Sequence, residues 1–353
     1  MPRPIQARID LSAVEHNLQV ARRASSARIM AVIKAAAYGH GLLPVAEALS
    51  AADGFALLDL RDAIRLREAG FRQAILLLEG FFTPDDVFPA VEHDFACVIH
   101  HAHQLAMLDG CPRRNALRIW LKVNTGMNRL GFAPCDVPAV MEKLKNHPAV
   151  RGITLMTHFS HADEVEGVAA QMELFNTLAA SYRTARSLAN SAALLRYPAT
   201  HADWVRPGIM LYGASPFAET SAQQLGLKPA MMLHSRVISV REIKAGDRIG
   251  YSGAFCAQGP MRVGVVACGY ADGYSRQAPT GTPVLVEGQR TRTLGRVSMD
   301  MLSVDLSALP SADVGSPVVL WGGGLPVEEV ARAAGTISYE LLCAVSGRVP
   351  LVY

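Results

Sequence analysis

Short apolar runs with the length and β-branching of buried strands recur along the first two thirds of the chain. They lie at residues 29–33, 54–58, 74–78, 95–99, 117–123, 152–156, 192–195 and 208–212. Amphipathic patterns of helical period fall between them, as at 59–69, 137–146 and 169–188. The stretch 4–10 alternates like a short strand. Ser12-Ala-Val-Glu15 then reads as a capping box, opening a helix with Leu11, Val14 and Leu18 on its apolar face. Strands alternating with helices predict a parallel sheet, and eight of them predict its closure into a (β/α)8 TIM-type barrel. An open doubly wound sheet is the alternative, but no Gly-x-Gly-x-x-Gly turn follows the first strand. Near Lys228-Pro229 the texture changes. Short β-branched runs at 237–240, 263–267, 283–286, 301–304 and 318–321 stand between Gly and Pro, and helical period survives only at 326–334. This predicts a C-terminal, mostly antiparallel β domain after the barrel.

Composition changes this picture little. A chain of 353 residues, half of them hydrophobic, can bury the core that two such units need. The net charge of +3, with no run of Lys or Arg, argues against a nucleic-acid footprint or a membrane-binding patch. The six cysteines are scattered without a Cys-x-x-Cys pair and read as reduced, mostly buried thiols. The N-terminal Met-Pro-Arg-Pro-Ile-Gln-Ala-Arg lacks the apolar core of a signal peptide, and no apolar run is long enough to span a bilayer. A cytoplasmic protein is expected.

In a β/α barrel the chemistry sits at the C-terminal ends of the strands. Those positions hold Lys34 and Tyr38, Lys122 with Arg129, His158, Asn190-Ser191, and Arg206 with Gly208-Ile209. The set is basic, rich in hydrogen-bond donors and poor in carboxylates, so it suits an anionic ligand such as a phosphate. A lysine held at the mouth of a strand loses basicity through burial, which suits Schiff-base or general-base work. Taken singly, each residue also has an ordinary reading. Lys34 could be a solvated strand end, His158 a satisfied strand-end histidine, Arg206 a turn cap and Asn190-Ser191 a turn. His100, His101 and His103 lack further ligands at metal spacing and read as a solvated helix start; no metal is expected. Asp85-Asp86 after Thr83-Pro84 reads as a helix N-terminus, and Gly322-Gly-Gly324 as a turn.

The segment Ala31-Val-Ile-Lys-Ala-Ala-Ala-Tyr-Gly-His-Gly41 resembles the cofactor-lysine motif of the pyridoxal-phosphate-dependent alanine racemases. Four more segments are similar to that family, in family order. They are Lys122-Val-Asn-Thr-Gly-Met-Asn-Arg-Leu-Gly131, Asp203-Trp-Val-Arg-Pro-Gly-Ile-Met-Leu-Tyr-Gly213, Gly269-Tyr-Ala-Asp-Gly-Tyr274 and Gly295-Arg-Val-Ser-Met-Asp300. The resemblance runs from residue 5 to Arg348-Val-Pro. It implies a barrel over 11–228 and a β domain over 229–353 joined by the N-terminal strand 1–10. It also implies a homodimer in which each β domain completes the partner's active site. The implied activity is interconversion of L- and D-alanine, D-alanine being a peptidoglycan precursor.

Carried over residue by residue, the resemblance makes Lys34 the imine-forming lysine for pyridoxal 5'-phosphate and one proton-transfer base. Tyr251, from the other subunit, becomes the opposing base. A free tyrosine titrates near pH ~10, so a tyrosine base working near neutrality needs cationic neighbours, which by similarity are His158 and Arg206. Arg206 also faces the pyridine nitrogen, where it can only donate. Tyr38, Asn190, Ser191, Gly208, Ile209 and Tyr339 fall in the implied cofactor-binding set with His158. Arg129 contacts the cofactor's phenolic oxygen and the substrate carboxylate. Lys122 matches a lysine often carbamylated in this family, and Tyr270 and Met299 line the substrate pocket from the partner. Three positions depart from the family pattern: Ala36 for Asn or Asp, Ser252 for Gly, and Ser298 for Cys. The rival readings are a serine or broader-range racemase, a fold-related amino-acid decarboxylase, and a non-enzymatic cofactor-binding protein.

Overall fold

The computed structural model describes residues 3–353; Met1 and Pro2 of the expected strand 1–10 lie outside them. After β1 (Gln6–Ile9) come β2 (Arg28–Val32), β3 (Gly54–Leu57), β4 (Ala74–Leu77), β5 (Phe95–Ile99), β6 (Leu117–Lys122), β7 (Val150–Met156), β8 (Ala185–Ser187) and β9 (Trp204–Val205). Strands β2 to β9 pair in parallel in sequence order. Arg28 and Ile29 then pair with Trp204 and Val205, closing the barrel. β3 and β5 are buried along their whole length, as the continuous apolar runs require.

The barrel has the expected eight strands, but two lie elsewhere than the apolar runs suggest. Residues 192–195 belong to a helix, Ser191–Arg196, and residues 208–212 to a 3-10 turn, Ile209–Tyr212. The helix from Ala169 stops at Ala179, short of 188, and makes room for β8. The physical reasons are length and propensity. β8 and β9 have only three and two residues, too few to show a period. The run Ala192-Ala-Leu-Leu195 is unbranched at Cβ and follows an asparagine cap, which favours helix. The first helix, Leu11–Ala24, is capped by Asp10, not Ser12; its carboxylate accepts from the Ala13 N–H at 3.0 Å.

The C-terminal part contains β10 (Met231–Ile243), β11 (Arg248–Ile249), β12 (Phe255–Cys256), β13 (Met261–Val266), β14 (Pro283–Val286), β15 (Gln289–Leu294), β16 (Leu302–Asp305), β17 (Pro317–Trp321) and β18 (Leu351–Val352). The long β10 pairs with β17 over its first half and with β13 over its second. The order β13-β16-β15-β14-β17-β10 therefore closes on itself, with β1 added beside β10 and β18 beside β1. All six cysteines are free thiols, but only Cys97 and Cys268 are buried, against the mostly buried set expected. Cys111 and Cys256 are half-buried and Cys135 and Cys343 exposed, Cys343 lying on the helix Ser338–Ala344 within charge range of Lys34.

Immediately after β2 the backbone does something few sequences allow. Ala35, Ala36, Ala37 and Tyr38 have φ of 54, 51, 57 and 52°, a full left-handed turn with no glycine in it. Each such residue costs roughly 1–2 kcal/mol. The departure at Ala36 acquires a physical meaning here, because Asn and Asp tolerate this region better than Ala. The turn is pinned from both sides. Outside, a Cβ at Gly39 would lie 2.3 Å from the Leu342 carbonyl oxygen and one at Gly41 2.0 Å from the Tyr353 hydroxyl, so the helix Ser338–Ala344 and Tyr353 press directly on it. Inside, the fully buried His40 faces the Ala37 and Tyr38 carbonyls from Nδ1, at 3.1 and 2.9 Å.

Burial pushes the His40 imidazole down to about 4 from 6.5. The unfolded chain thus takes up a proton below pH 6.5 that the folded chain refuses, and stability falls as pH drops. His40 alone removes about 2 kcal/mol between pH 7 and pH 5. His100 and His158, also held below their ordinary value by burial, act in the same direction. Urea unfolding of the unsubstituted protein and His40→Asn at the two pH values tests this: the variant should lose less stability on acidification, and equal losses would contradict it.

Candidate active site

The C-terminal ends of the barrel strands gather nearly every basic group anticipated there. Lys34 follows β2, Lys122 ends β6, His158 follows β7, and Arg206 follows β9. Arg129 reaches them because its loop turns back: Val123 bridges to Phe132, and the Phe132 N–H donates to the Lys122 carbonyl at 2.9 Å. Arg206 is 4% exposed and rigidly held. Its guanidinium donates to the Ser187 hydroxyl, to the Thr157 carbonyl at 2.6 Å and to the Leu188 carbonyl at 3.2 Å.

Crowding these groups makes them poorer bases. Burial first, and the Arg129 charge second, lower the pKa of Lys34. Burial, then Arg206, Arg129 and Lys34, bring Lys122 down to about 8. Burial brings Arg206 down to about 10, still protonated near neutrality. His158 is driven well below its ordinary value by burial and by the surrounding cations. The single chain thus favours its neutral imidazole. One carboxylate, Glu79, lies within charge range of both Lys34 and Lys122.

A second cluster adjoins the first. The Tyr38 ring stacks on Tyr212 at 4.6 Å and lies 6.2 Å from Tyr339, which the helix Ser338–Ala344 delivers. Burial raises the pKa of both Tyr38 and Tyr339, so both hydroxyls keep their protons. A Cβ at Gly208 would lie 2.6 Å from the Tyr38 hydroxyl. The Gly208 N–H donates to Ser191 Oγ at 2.8 Å, and the buried Ile209 N–H has no acceptor among the described residues. Asn190 caps the helix that begins at Ser191, its side-chain oxygen accepting from the Ala193 N–H at 3.0 Å; in the single chain its contribution is to place Ser191.

Protonated hydroxyls, a backbone cradle that admits no side chain and an excess of cations fit the phosphate, phenolate and imine-forming lysine of pyridoxal phosphate. Among the described residues, no group of three or more His, Cys, Asp or Glu could hold a metal.

Tyr251, Tyr270 and Met299 stand apart from both clusters. They are 67%, 38% and 52% exposed on the C-terminal part, and the single chain makes no hydrogen bond or charge contact from Tyr251 to Lys34. Tyr270 and Met299 are neighbours: the Tyr270 N–H donates to the Ser298 carbonyl and the Ala271 N–H to the Met299 carbonyl, both at 3.0 Å. The buried Asp272 fastens this pair from behind, accepting from Arg3 at 2.6 Å, Arg348 at 2.7 Å and the Gly269 N–H at 2.9 Å. Sequence reasoning missed Glu79 and Cys343 beside the cations and read His100, which is half-buried near Lys122, as part of a solvated helix start. Glu79 and His100 are the first polar residues past β4 and β5, so the strand-end rule that found Lys34 could have found them. Cys343 comes from a short helix that gave no periodic signal.

Comparison with known proteins agrees with this arrangement. The profile of the alanine racemase N-terminal domain matches residues 9–216, and that of the C-terminal domain matches 230–353. An alanine racemase of Nitrosospira multiformis is 61% identical over 356 residues, covering 100% of both chains. The crystal structure of a biosynthetic alanine racemase from Pseudomonas aeruginosa superposes with a TM-score of 0.97 at 49% identity over 99% of both chains. The structure of an alanine racemase from Acinetobacter baumannii superposes at 0.93 with 37% identity and the same coverage. The chain thus belongs to the alanine racemase family, enzymes that interconvert L- and D-alanine.

Proposed function

We propose that the strand-end cluster holds pyridoxal 5'-phosphate through Lys34, and that two copies of the chain pair so that each supplies Tyr251, Tyr270 and Met299 to the other's cluster. The observation that carries this reading is the collection of Lys34, Lys122, Arg129 and Arg206 around a single carboxylate, with the lysines made less basic by burial. Lys122 and Arg206 are buried, Lys34 is half-buried and Arg129 is exposed, and buried positive charge is stabilised by a neighbouring anion. When bound, the cofactor supplies an electron sink that makes the α-hydrogen of alanine acidic. Arg129 would bind the substrate carboxylate. Arg206 would donate to the ring nitrogen and, keeping its own proton, leave that nitrogen unprotonated. Lys34 Nζ would exchange a proton with one face of the α-carbon and Tyr251 Oη with the other, so inversion needs no turning of the substrate. Tyr38, Ser191, Gly208, Ile209 and Tyr339 would hold the phosphate, with Asn190 and His158 beside the ring.

Lys122 has the chemistry for carbamylation. With its pKa near 8, a useful fraction is free amine at neutral pH. Its lone pair would add to carbon dioxide with loss of a proton, giving a carbamate that neutralises part of the cluster and orients Arg129. Intact mass of the native protein should show the added group; density or mass for plain lysine would contradict it. The cellular role that fits is cytoplasmic supply of D-alanine as a peptidoglycan precursor, since the 49% identical Pseudomonas aeruginosa protein is described as biosynthetic.

Two substitutions separate cofactor holding from proton transfer. Lys34→Ala should abolish borohydride trapping of the cofactor; continued trapping would mean that another lysine carries it. Tyr251→Phe should retain the trapped cofactor but lose about 10²–10⁴-fold in racemisation, the usual worth of a general base. Racemisation at the unsubstituted rate would remove Tyr251 from the mechanism.

A further inference from the structure

Nothing in the proposed proton transfers uses His40, yet the structure builds a site around it. The residue is fully buried at the end of the left-handed turn, and its ring lies 4.7 Å from that of Tyr212. Tyr212 stacks in turn on Tyr38 and donates its hydroxyl to the Val32 carbonyl at 2.9 Å, at the end of β2. His40 therefore touches both the backbone that carries Lys34 and the aromatic stack behind Tyr38.

Its hydrogen bonds fix its chemical form. Both atoms facing Nδ1 are carbonyl oxygens, of Ala37 and Tyr38, and a carbonyl can only accept. Nδ1 must carry the proton, which leaves Nε2 as a bare acceptor. That Nε2 is buried and has no partner among the described residues. A phenylalanine would fill the same space and stack on Tyr212 without an orphaned polar atom, so packing alone does not call for histidine here. What only the imidazole supplies is the Nδ1–H, donated to the last two residues of a run that sterics disfavour at every step. Backbone bonds across the run join Ala37 N–H to the Ile33 carbonyl, Gly39 N–H to Ala35, His40 N–H to Ala37 and Gly41 N–H to Ala36, at 3.0, 2.9, 3.0 and 2.9 Å; among the described residues no backbone N–H reaches the Tyr38 carbonyl, which the His40 ring meets at 2.9 Å. Strained backbone persists only where its surroundings over-determine it, and it collects at functional sites.

We propose that His40 is a positioning residue, its Nδ1–H locking the left-handed turn that aims the Lys34 amine and the Tyr38 hydroxyl at the cofactor. This rests on the reading of Lys34 and Tyr38 as cofactor-holding residues. The side chain acts through the turn and touches neither cofactor nor substrate.

The test compares His40→Phe, which keeps the ring and loses the donor, with His40→Asn, whose amide can stand in for Nδ1–H. Pyridoxal phosphate dissociation from each holoenzyme is followed by absorbance and by borohydride trapping. His40→Phe should weaken retention about tenfold, the effect of losing a buried donor, while His40→Asn stays within about threefold of the unsubstituted protein. Adding Ala36→Asn to His40→Phe should recover part of the loss, because asparagine accepts the left-handed conformation. Unchanged retention in His40→Phe, or equal loss in both single variants, would overturn the proposal. Should His40→Phe fail to fold, ¹⁵N-histidine NMR of the unsubstituted holoenzyme carries the test: an Nδ1–H, Nε2-bare signal is expected, and an Nε2–H tautomer would overturn it. Failure of the cofactor reading looks different, since the unsubstituted protein itself would then show no trapping at Lys34.

Discussion

The constraint on which this structure depends is the concentration of positive charge at one end of the barrel. Lys34, Lys122, Arg129 and Arg206 share that end with one carboxylate in charge range, Glu79. Burial weakens the two lysines as bases, leaves Arg206 protonated and keeps His158 neutral. The same arrangement that makes an anionic ligand necessary also prepares the amine of Lys34 to react. Stability and chemistry are coupled through one electrostatic imbalance, and ligand binding should stabilise the fold accordingly.

Holding that imbalance in place takes unusual backbone. The barrel ends β2 in a left-handed turn instead of passing directly into a helix, and material from the far end of the chain covers it. The helix Ser338–Ala344 and Tyr353 close on Gly39 and Gly41 so tightly that no side chain fits there. The C-terminal part thereby does two separate tasks. Towards its own barrel it braces the Lys34 turn and delivers Tyr339. It also exposes Tyr251, Tyr270 and Met299 to solvent, the latter two fastened by buried Asp272.

Much of this was legible in the residues because the barrel obeys a simple period. Strands such as β3 and β5, buried on both faces, read as unbroken apolar runs, and the strand-end rule then located Lys34, Lys122, His158 and Arg206. Legibility failed where elements became short. β8 and β9 carry too few residues to display a pattern, while Ala192-Ala-Leu-Leu195 copies the apolarity of a strand in a helix. The left-handed turn was invisible for a different reason: three consecutive alanines advertise an ordinary helix, and only distant packing forces them into the opposite hand. Glu79 occupies the same kind of strand-end position, but a lone carboxylate there carries no motif that marks it out. The neutral form favoured at His158 in the single chain follows from burial first and from the surrounding cations second, and a lone sequence shows neither.

The central claim is that a working site needs Lys34 from one copy and Tyr251 from another. Lys34→Ala and Tyr251→Phe, each inactive alone, should be mixed, dissociated and reassociated, and alanine racemisation then measured. Random pairing places the two variants together in half of the dimers, and each mixed dimer regains one intact site of two, so about a quarter of the unsubstituted activity should return. No recovery, with mixed dimers shown to have formed, would mean that the two residues serve the same chain, and the composite site would be wrong.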